Sequence, residues 1–134
     1  MRIAALDVFP LKLPMNEDFY ISGGKVGDQK TGVPHVYVRM TAEDGEEGWG
    51  EARPSHRWSY ETLETVASTI RNYFSKKLVG LNLYDLRSMH NVMDQEIASG
   101  LTRGQPIAKA AVDIAIMDLI GKKMSATAFP FMAV

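Results

Sequence analysis

The sequence has no cysteine. Disulfides, thiolate metal sites and a cysteine nucleophile are therefore excluded, and the plain expectation is a cytoplasmic protein. Charge of one sign is scarcely in excess. Fifteen Lys and Arg against sixteen Asp and Glu leave a formal charge of −1, whereas a general nucleic-acid binder carries a basic surplus. No apolar run is long enough for a membrane. The strongest, Ile107 to Ile120, is interrupted by Lys109, Asp113 and Asp118, and it falls short of the roughly 20 residues that a spanning helix needs. Met1 to Asp7 lacks a signal-peptide layout, because charge breaks the apolar stretch early. Three histidines, at 35, 56 and 90, stand too far apart for a zinc-ligand spacing. Ser22-Gly23-Gly24-Lys25 lacks the spacing of a phosphate loop, and no nucleophile-elbow pattern occurs. The 134 residues suit one domain. They cannot hold an eight-fold βα barrel, which takes about 250.

What is present divides into a β-rich first third and a helical remainder. Residues 2–13 are rich in Ile, Val, Leu and Phe and bounded by prolines, which suits an edge strand. Residues 15–32 lose periodicity and carry four glycines, so they read as a long loop, either a lid or a plain surface excursion. Val36, Val38 and Met40 alternate with His35, Tyr37 and Arg39 in a period of two, and Asp44-Gly45 signals a hairpin turn. In the returning strand Gly48, Gly50 and Ala52 share one face, where a neighbouring backbone can approach closely. Glu47, Trp49 and Glu51 share the other. A first helix is expected with Ser59 as N-cap, Glu61 in its first turn, a stripe at Leu63, Val66, Ala67, Ile70, Phe74 and Leu78, and Gly80 at its end. A second runs from about Leu83 to Ile97. A third begins at Pro106 and stops near Gly121, apolar almost all round and hence buried. The fold class is α+β, a three-stranded antiparallel meander followed by three helices.

Chemistry-bearing residues are sparse. Asp113 and Asp118 lie about 500° apart around their helix and share no face for a metal. The spacing instead pairs Asp118 with Lys122, and Asp113 with Lys109. The segment from Gly50 to Ser59 gathers Glu51, Arg53, His56, Arg57 and Trp58 between a strand and a helix. Trp58 there is either one wall of a ligand pocket or a hydrophobic staple packing on Leu63. Glu51 is expected to accept from loop amides or Arg53.

Three stretches taken together carry a resemblance: the strand ending Leu11-Lys12-Leu13-Pro14, the hairpin from Thr41 to Ala52 with Gly48-Trp49-Gly50-Glu51-Ala52, and the helix from Ala108 to Lys122. In this order they resemble the N-terminal capping domain of the mandelate racemase and muconate lactonizing enzyme group of the enolase superfamily. The match spans residues 1–123. It implies an α+β cap that normally covers a modified βα barrel, with two loops, here Met15 to Gly32 and Gly50 to Ser59, closing over the substrate. The implied chemistry is removal of a proton α to a carboxylate, with Mg²⁺ holding the enediolate, as in a racemase, epimerase or dehydratase. The base and the metal ligands of such enzymes stand on barrel strands. The resemblance therefore implies no catalytic residue and no Mg²⁺ ligand in this chain, which alone is expected to be inactive. Tyr20, Ser22, His56 and Trp58 would line the distal side of a small carboxylate or amino-acid substrate. Arg53 to Thr62, with Gly104 to Lys109, is similar to the cis-3-hydroxy-L-proline dehydratases. Residues 124–134 depart from the family pattern and read as a truncated or divergent tail where a barrel linker would begin. The alternative is a non-catalytic, oligomerising module using the apolar third helix. Either way a homo-oligomer is expected, with no nucleic-acid or membrane partner.

Overall fold

The computed structural model describes residues 1–125. Three long strands form one antiparallel sheet: β1 (Ile3–Leu13), β4 (Val33–Ala42) and β5 (Glu47–Ala52), in the order β1-β4-β5. This is the expected meander. Pro10 sits on the edge strand β1, where a missing N–H costs least. Pro34 lies in the central strand, but β5 pairs only with Val36 to Thr41, so the proline stands beyond the two-sided ladder. The turn at Asp44-Gly45 closes as read, with Gly45 at φ 90° and its N–H bonded to the Ala42 carbonyl at 2.9 Å.

The segment 15–32 departs from the loop reading. Phe19–Ile21 (β2) pairs antiparallel with Gly24–Gly27 (β3), so a small hairpin projects between the two long strands. Strands of three and four residues are too short to show alternation, and glycine contributes no side chain to the pattern.

All helices cover one face of the sheet. The first helical rod joins α1 (Leu63–Thr69), a π-helical turn (Ile70–Phe74) and α2 (Ser75–Leu78). Ile70, Phe74 and Leu78 are spaced in strict fours, which drift about 40° per step around an ordinary α-helix. The wider turn between them lets all three point inward, each fully buried. The expected cap at Ser59 is corrected. Ser59 belongs to a tight turn in which its N–H bonds the Ser55 carbonyl at 2.7 Å. The helix begins three residues later, capped by Thr62, whose side chain accepts from the Thr65 N–H while Thr65 Oγ1 accepts from the Thr62 N–H.

The second rod, α3 (Leu86–Glu96), is shorter than read; Asp85 caps it by accepting from the Ser88 N–H at 3.1 Å. The third, α4 (Pro106–Lys123), lies between sheet and first rod, with Ala108, Ala111, Val112, Ala115, Ile116, Leu119 and Ile120 buried. It runs directly along β5. A Cβ at Gly48 would stand 2.6 Å from the Leu119 nitrogen, and one at Gly50 would stand 2.8 Å from the Ala115 nitrogen. The close approach expected of this small-residue face is what the packing uses. No helix among the described residues is long and apolar enough to cross a membrane.

The other face of the sheet is open and half-polar. Arg39 lies 5.4 Å over the Phe9 ring and 5.7 Å over Trp49, while its guanidinium pairs with Asp7 at 3.0 Å and Glu47 at 3.4 Å. Glu51 pairs with His35, not with loop amides or Arg53.

Candidate functional site

The two segments flagged in the sequence meet at one end of the sheet. The projecting hairpin β2–β3 faces the connection from β5 to α1, residues 53–61. Between them lies a cleft of about 570 Å³ lined by Lys12, Lys25, Asp28, His56, Arg57 and Glu64, among others. The direct bridge is Arg57, whose Nη2 donates to the Gly23 carbonyl at the hairpin tip at 3.4 Å. Gly24 beside it has φ 112°, the left-handed region, and a Cβ there would stand 3.2 Å from the same nitrogen.

Charges hold the hairpin in shape. Lys25 Nζ lies 2.9 Å from both Asp18 and Asp28. Asp18 also accepts from the Gln29 N–H at 2.7 Å, and Asp28 from the N–H groups of Lys30 at 2.7 Å and Thr31 at 3.1 Å. These contacts favour the charged forms. The Lys25 ammonium, then the Thr31 and Lys30 amides, hold the Asp28 carboxyl down to about 2. The Gln29 amide, then Lys25, lowers that of Asp18, and Asp28 followed by Asp18 raises Lys25. The carboxylate contribution is present above their ordinary value near 3.8 and is lost as pH falls through the lowered one. The Lys25 contribution is present below its ordinary value and is lost only as pH rises through the raised one. Hairpin protection against amide exchange is therefore expected to be flat from about pH 5 to 9 and to fall below about pH 4. An Asp28 carboxyl ¹³C titration with its midpoint near 4 would contradict the clasp.

The connection is fastened at its far end. Tyr60 accepts at its hydroxyl from the Gln105 N–H at 3.1 Å. Glu61 is fully buried, and its two oxygens accept from the N–H groups of Ile107 at 2.8 Å and Ala108 at 3.0 Å, the open amides in the first turn of α4. The acid read into the first turn of the first helix thus serves the third helix instead. Gln105, in the left-handed conformation with φ 51°, supplies no side-chain cap, so the capping carboxylate comes from Glu61, 46 residues before Ile107.

The site residues read from the sequence separate. His56 lines the cleft, whereas Tyr20 and Ser22 are exposed on the hairpin and do not line it. Trp58 is 69% exposed and borders a different depression with Arg53, Ser55, Ser59 and Ile107. It does not staple a helix, because the residue preceding the true cap is Glu61. Arg57 and Lys25 lie within the two segments without being read there as site residues; Lys25 follows Gly23-Gly24, and no local pattern marks Arg57. Asp118 does pair with Lys122, at 2.7 Å. It also accepts from the Trp49 N–H at 2.8 Å, while Lys122 donates to the Glu47 carbonyl at 2.8 Å, so the pair guards the open edge of β5. The other pairing is corrected. Asp113 bonds His90 at 2.6 Å, and Lys109 bonds Asp94 at 2.7 Å, both from α4 to α3. Among the described residues no group of three or more His, Asp or Glu side chains could hold a metal ion. The described residues thus offer no carboxylate cluster of the kind that a Mg²⁺ ion takes as ligands.

Comparison with known proteins matches this architecture. Residues 7–129 fit the family described as mandelate racemase / muconate lactonizing enzyme, N-terminal domain. N-succinyl-L-Arg/Lys racemase of Bacillus cereus is 32% identical over 125 residues, 93% of this chain and 31% of that protein. Its solved structure superposes with a TM-score of 0.81 at 31% identity, over 92% of this chain and 31% of that one. A dipeptide epimerase of Enterococcus faecalis, solved with Mg and L-Leu-L-Tyr, gives a TM-score of 0.80 at 33% identity over 92% of this chain and 32% of that one. A cis-3-hydroxy-L-proline dehydratase of Roseibium aggregatum is 29% identical over 125 residues, covering 91% of this chain and 31% of that protein. The chain spans about a third of the length of these relatives. By sequence pattern and by fold it belongs to the mandelate racemase / muconate lactonizing enzyme family, as an N-terminal domain.

Proposed function

We propose that this chain is the substrate-capping domain of a Mg²⁺-dependent racemase, epimerase or dehydratase that removes the α-proton of a small carboxylate. The observation that carries the reading is the meeting of the hairpin with residues 53–61 around one cleft, bridged by Arg57. Both loops stand on rigid supports, the sheet on one side and the α4 N-terminus on the other. That is how a scaffold presents loops to a ligand. In this reading the base and the metal ligands would belong to a barrel outside residues 1–123, where a Mg²⁺ ion would supply electrostatic stabilisation of the charge that proton removal leaves on the substrate. The cap selects the substrate through the exposed His56 and Trp58, with Tyr20 and Ser22 on the hairpin side. The substrate class runs from N-acylated amino acids and dipeptides to hydroxyprolines, the range found among the relatives. A cytoplasmic homo-oligomer is part of the proposal.

The test is a graft in which residues 1–123 replace the matching segment of the Bacillus cereus racemase. Trp58→Ala in that graft is expected to shift the ratio of kcat/KM between two substrates by about tenfold while leaving the Mg²⁺ dependence unchanged. An equal loss of Mg²⁺ affinity would contradict the wall role of Trp58.

The oligomerising-module alternative draws on one observation. Ile114 on α4 is 45% exposed, although the rest of the apolar surface of that helix is largely covered by its own sheet and rods. Light scattering that gives a monomer at high concentration would remove that reading. The tail assigned to residues 124–134 lies mostly outside the described residues.

A further inference from the structure

The turn between α3 and α4, residues 97–105, ends in a residue held against its own preference. Gln105 has φ 51° and ψ 56°, left-handed without glycine's freedom. Its side-chain Oε1 is buried and meets no donor among the described residues. Both features cost stability, and a residue stays in such a state only where its surroundings impose it. The turn around it is closely built. The Gly100 N–H bonds the Thr102 carbonyl at 2.9 Å, and a Cβ at Gly104 would stand 2.9 Å from the Ile97 carbonyl oxygen. Lys109 ties the start of the turn to α4 by donating to the Ile97 carbonyl at 3.1 Å. Tyr60 meets this platform from the other side. Its hydroxyl accepts from the Gln105 N–H at 3.1 Å and from Thr102 Oγ1 at 3.3 Å, and it donates to the Arg103 carbonyl at 3.4 Å. One half-exposed phenol thus gathers three groups of one turn.

Two neighbouring residues therefore fasten the same connection in different ways. Glu61 is buried and holds the Ile107 and Ala108 amides at 2.8 and 3.0 Å. Tyr60 is neutral and half-exposed, and its bonds are longer, so water competes for this second anchor and not for the first. Just before them lies Trp58. The N–H groups of Trp58 and Ser59 both bond the Ser55 carbonyl, at 3.0 and 2.7 Å, which makes residues 55–59 one turn. Ile107, two residues beyond Gln105, borders the same depression as Trp58. We infer that Tyr60 is a positioning residue: its hydroxyl fixes the turn 55–59, and Trp58 with it, beside the first turn of α4, and thereby sets the substrate preference of the cap. The inference rests on the capping reading and deepens it. Glu61 is the fixed pivot and the Tyr60 hydroxyl the adjustable stay. Tyr60 acts through Trp58 and not on the substrate.

The test begins with the 134-residue chain, ¹⁵N-labelled. Tyr60→Phe removes one oxygen and keeps the ring. It is expected to speed amide exchange at Trp58, Ser59 and Gln105 about tenfold and to shift the Trp58 indole N–H signal, while Ile107 and Ala108, which Glu61 holds, exchange as in the wild type. Gln105→Gly takes the left-handed backbone without strain and keeps the N–H, so it should leave the Trp58 and Ser59 amides as slow as before. Faster exchange throughout, Ile107 and Ala108 included, would show a purely structural role and overturn the inference. So would a Tyr60→Phe chain unchanged at Trp58 and Ser59. The graft supplies the second readout. Tyr60→Phe there should change the ratio of kcat/KM between the two substrates about threefold, in the direction that Trp58→Ala takes. In the Trp58→Ala background it should add nothing, because its effect runs through that side chain. Additive effects of the two changes would contradict this. A graft that responds to Trp58→Ala and ignores Tyr60→Phe sinks the positioning role alone. A graft inactive on every substrate sinks the capping reading, and the contrast in exchange between residues 58–59 and 107–108 then decides by itself whether Tyr60 holds the turn.

Discussion

Gly50→Ala is expected to be the most destabilising single substitution in this domain. The added Cβ would fall inside contact distance of the Ala111 carbonyl oxygen and 2.8 Å from the Ala115 nitrogen, both backbone atoms of α4. A flexible side chain could swing aside, but a helix backbone sandwiched between a sheet and a second helical rod cannot. Relief requires lifting α4 from β5, which uncovers Ala111, Ala115 and Leu119, all fully buried now. Overpacking in a core costs about 1–3 kcal/mol where side chains can adjust. Here a loss of about 4 kcal/mol or more is expected, against a total stability of about 5–15 kcal/mol for an ordinary domain. Chemical denaturation followed by circular dichroism would measure it. A variant with a wild-type midpoint would show that the close approach of helix and strand is not required. Gly45→Ala is the control: its Cβ would meet nothing within 4 Å, so only the strain of its φ of 90° remains.

Glu61→Ala should be the second most damaging change, at about 3 kcal/mol. The two amides it serves, those of Ile107 and Ala108, would be left without an acceptor, and the Ala108 residue itself is fully buried. Hydrogen bonds to charged groups contribute about 1.5–3 kcal/mol each, and burying an unpaired donor costs a similar amount. For a chain of this size the loss corresponds to a fall in Tm of about 10 °C. Glu61→Gln separates chemistry from packing. It keeps the shape but turns one accepting oxygen into a donor facing a donor, so it should recover only part of the loss. Full recovery by Gln would show that Glu61 fills space and does not cap α4. Because Glu61 also ends the connection that carries His56, Arg57 and Trp58, its loss should loosen that segment, measurable as faster amide exchange at residues 55–59.

Features set by local pattern were legible in the sequence. The alternation of Val36, Val38 and Met40 and the Asp44-Gly45 turn give the central hairpin directly. The apolar wrap of Ile107 to Ile120 gives the buried helix, and the small residues Gly48 and Gly50 announce where that helix lies. Features set by distant partners were not legible. Ser59 and Thr62 are both competent caps, and the choice falls to Thr62 because Glu61 is drawn into the α4 terminus. Asp113 has Lys109 at a favourable helical spacing, yet each finds its partner on α3 instead. The wide turn at Ile70–Phe74 shows only as a stripe spaced in fours. The hairpin β2–β3 was hidden because its order comes from the Lys25 clasp with Asp18 and Asp28, an arrangement that no periodicity records. The site is split in the same way. Its two segments stood out by composition, while the Arg57 bridge between them needed the fold.

Under the proposed function this domain shapes the substrate site and leaves the chemistry to residues outside 1–123. The most direct measurement is solvent deuterium incorporation at the α-carbon of N-succinyl amino acids, dipeptides and hydroxyproline by the pure 134-residue chain, with and without Mg²⁺. Incorporation at the rate of the buffer blank in every case is the predicted result. Saturable, protein-dependent exchange with any of these compounds would contradict it, and would place the base within this chain.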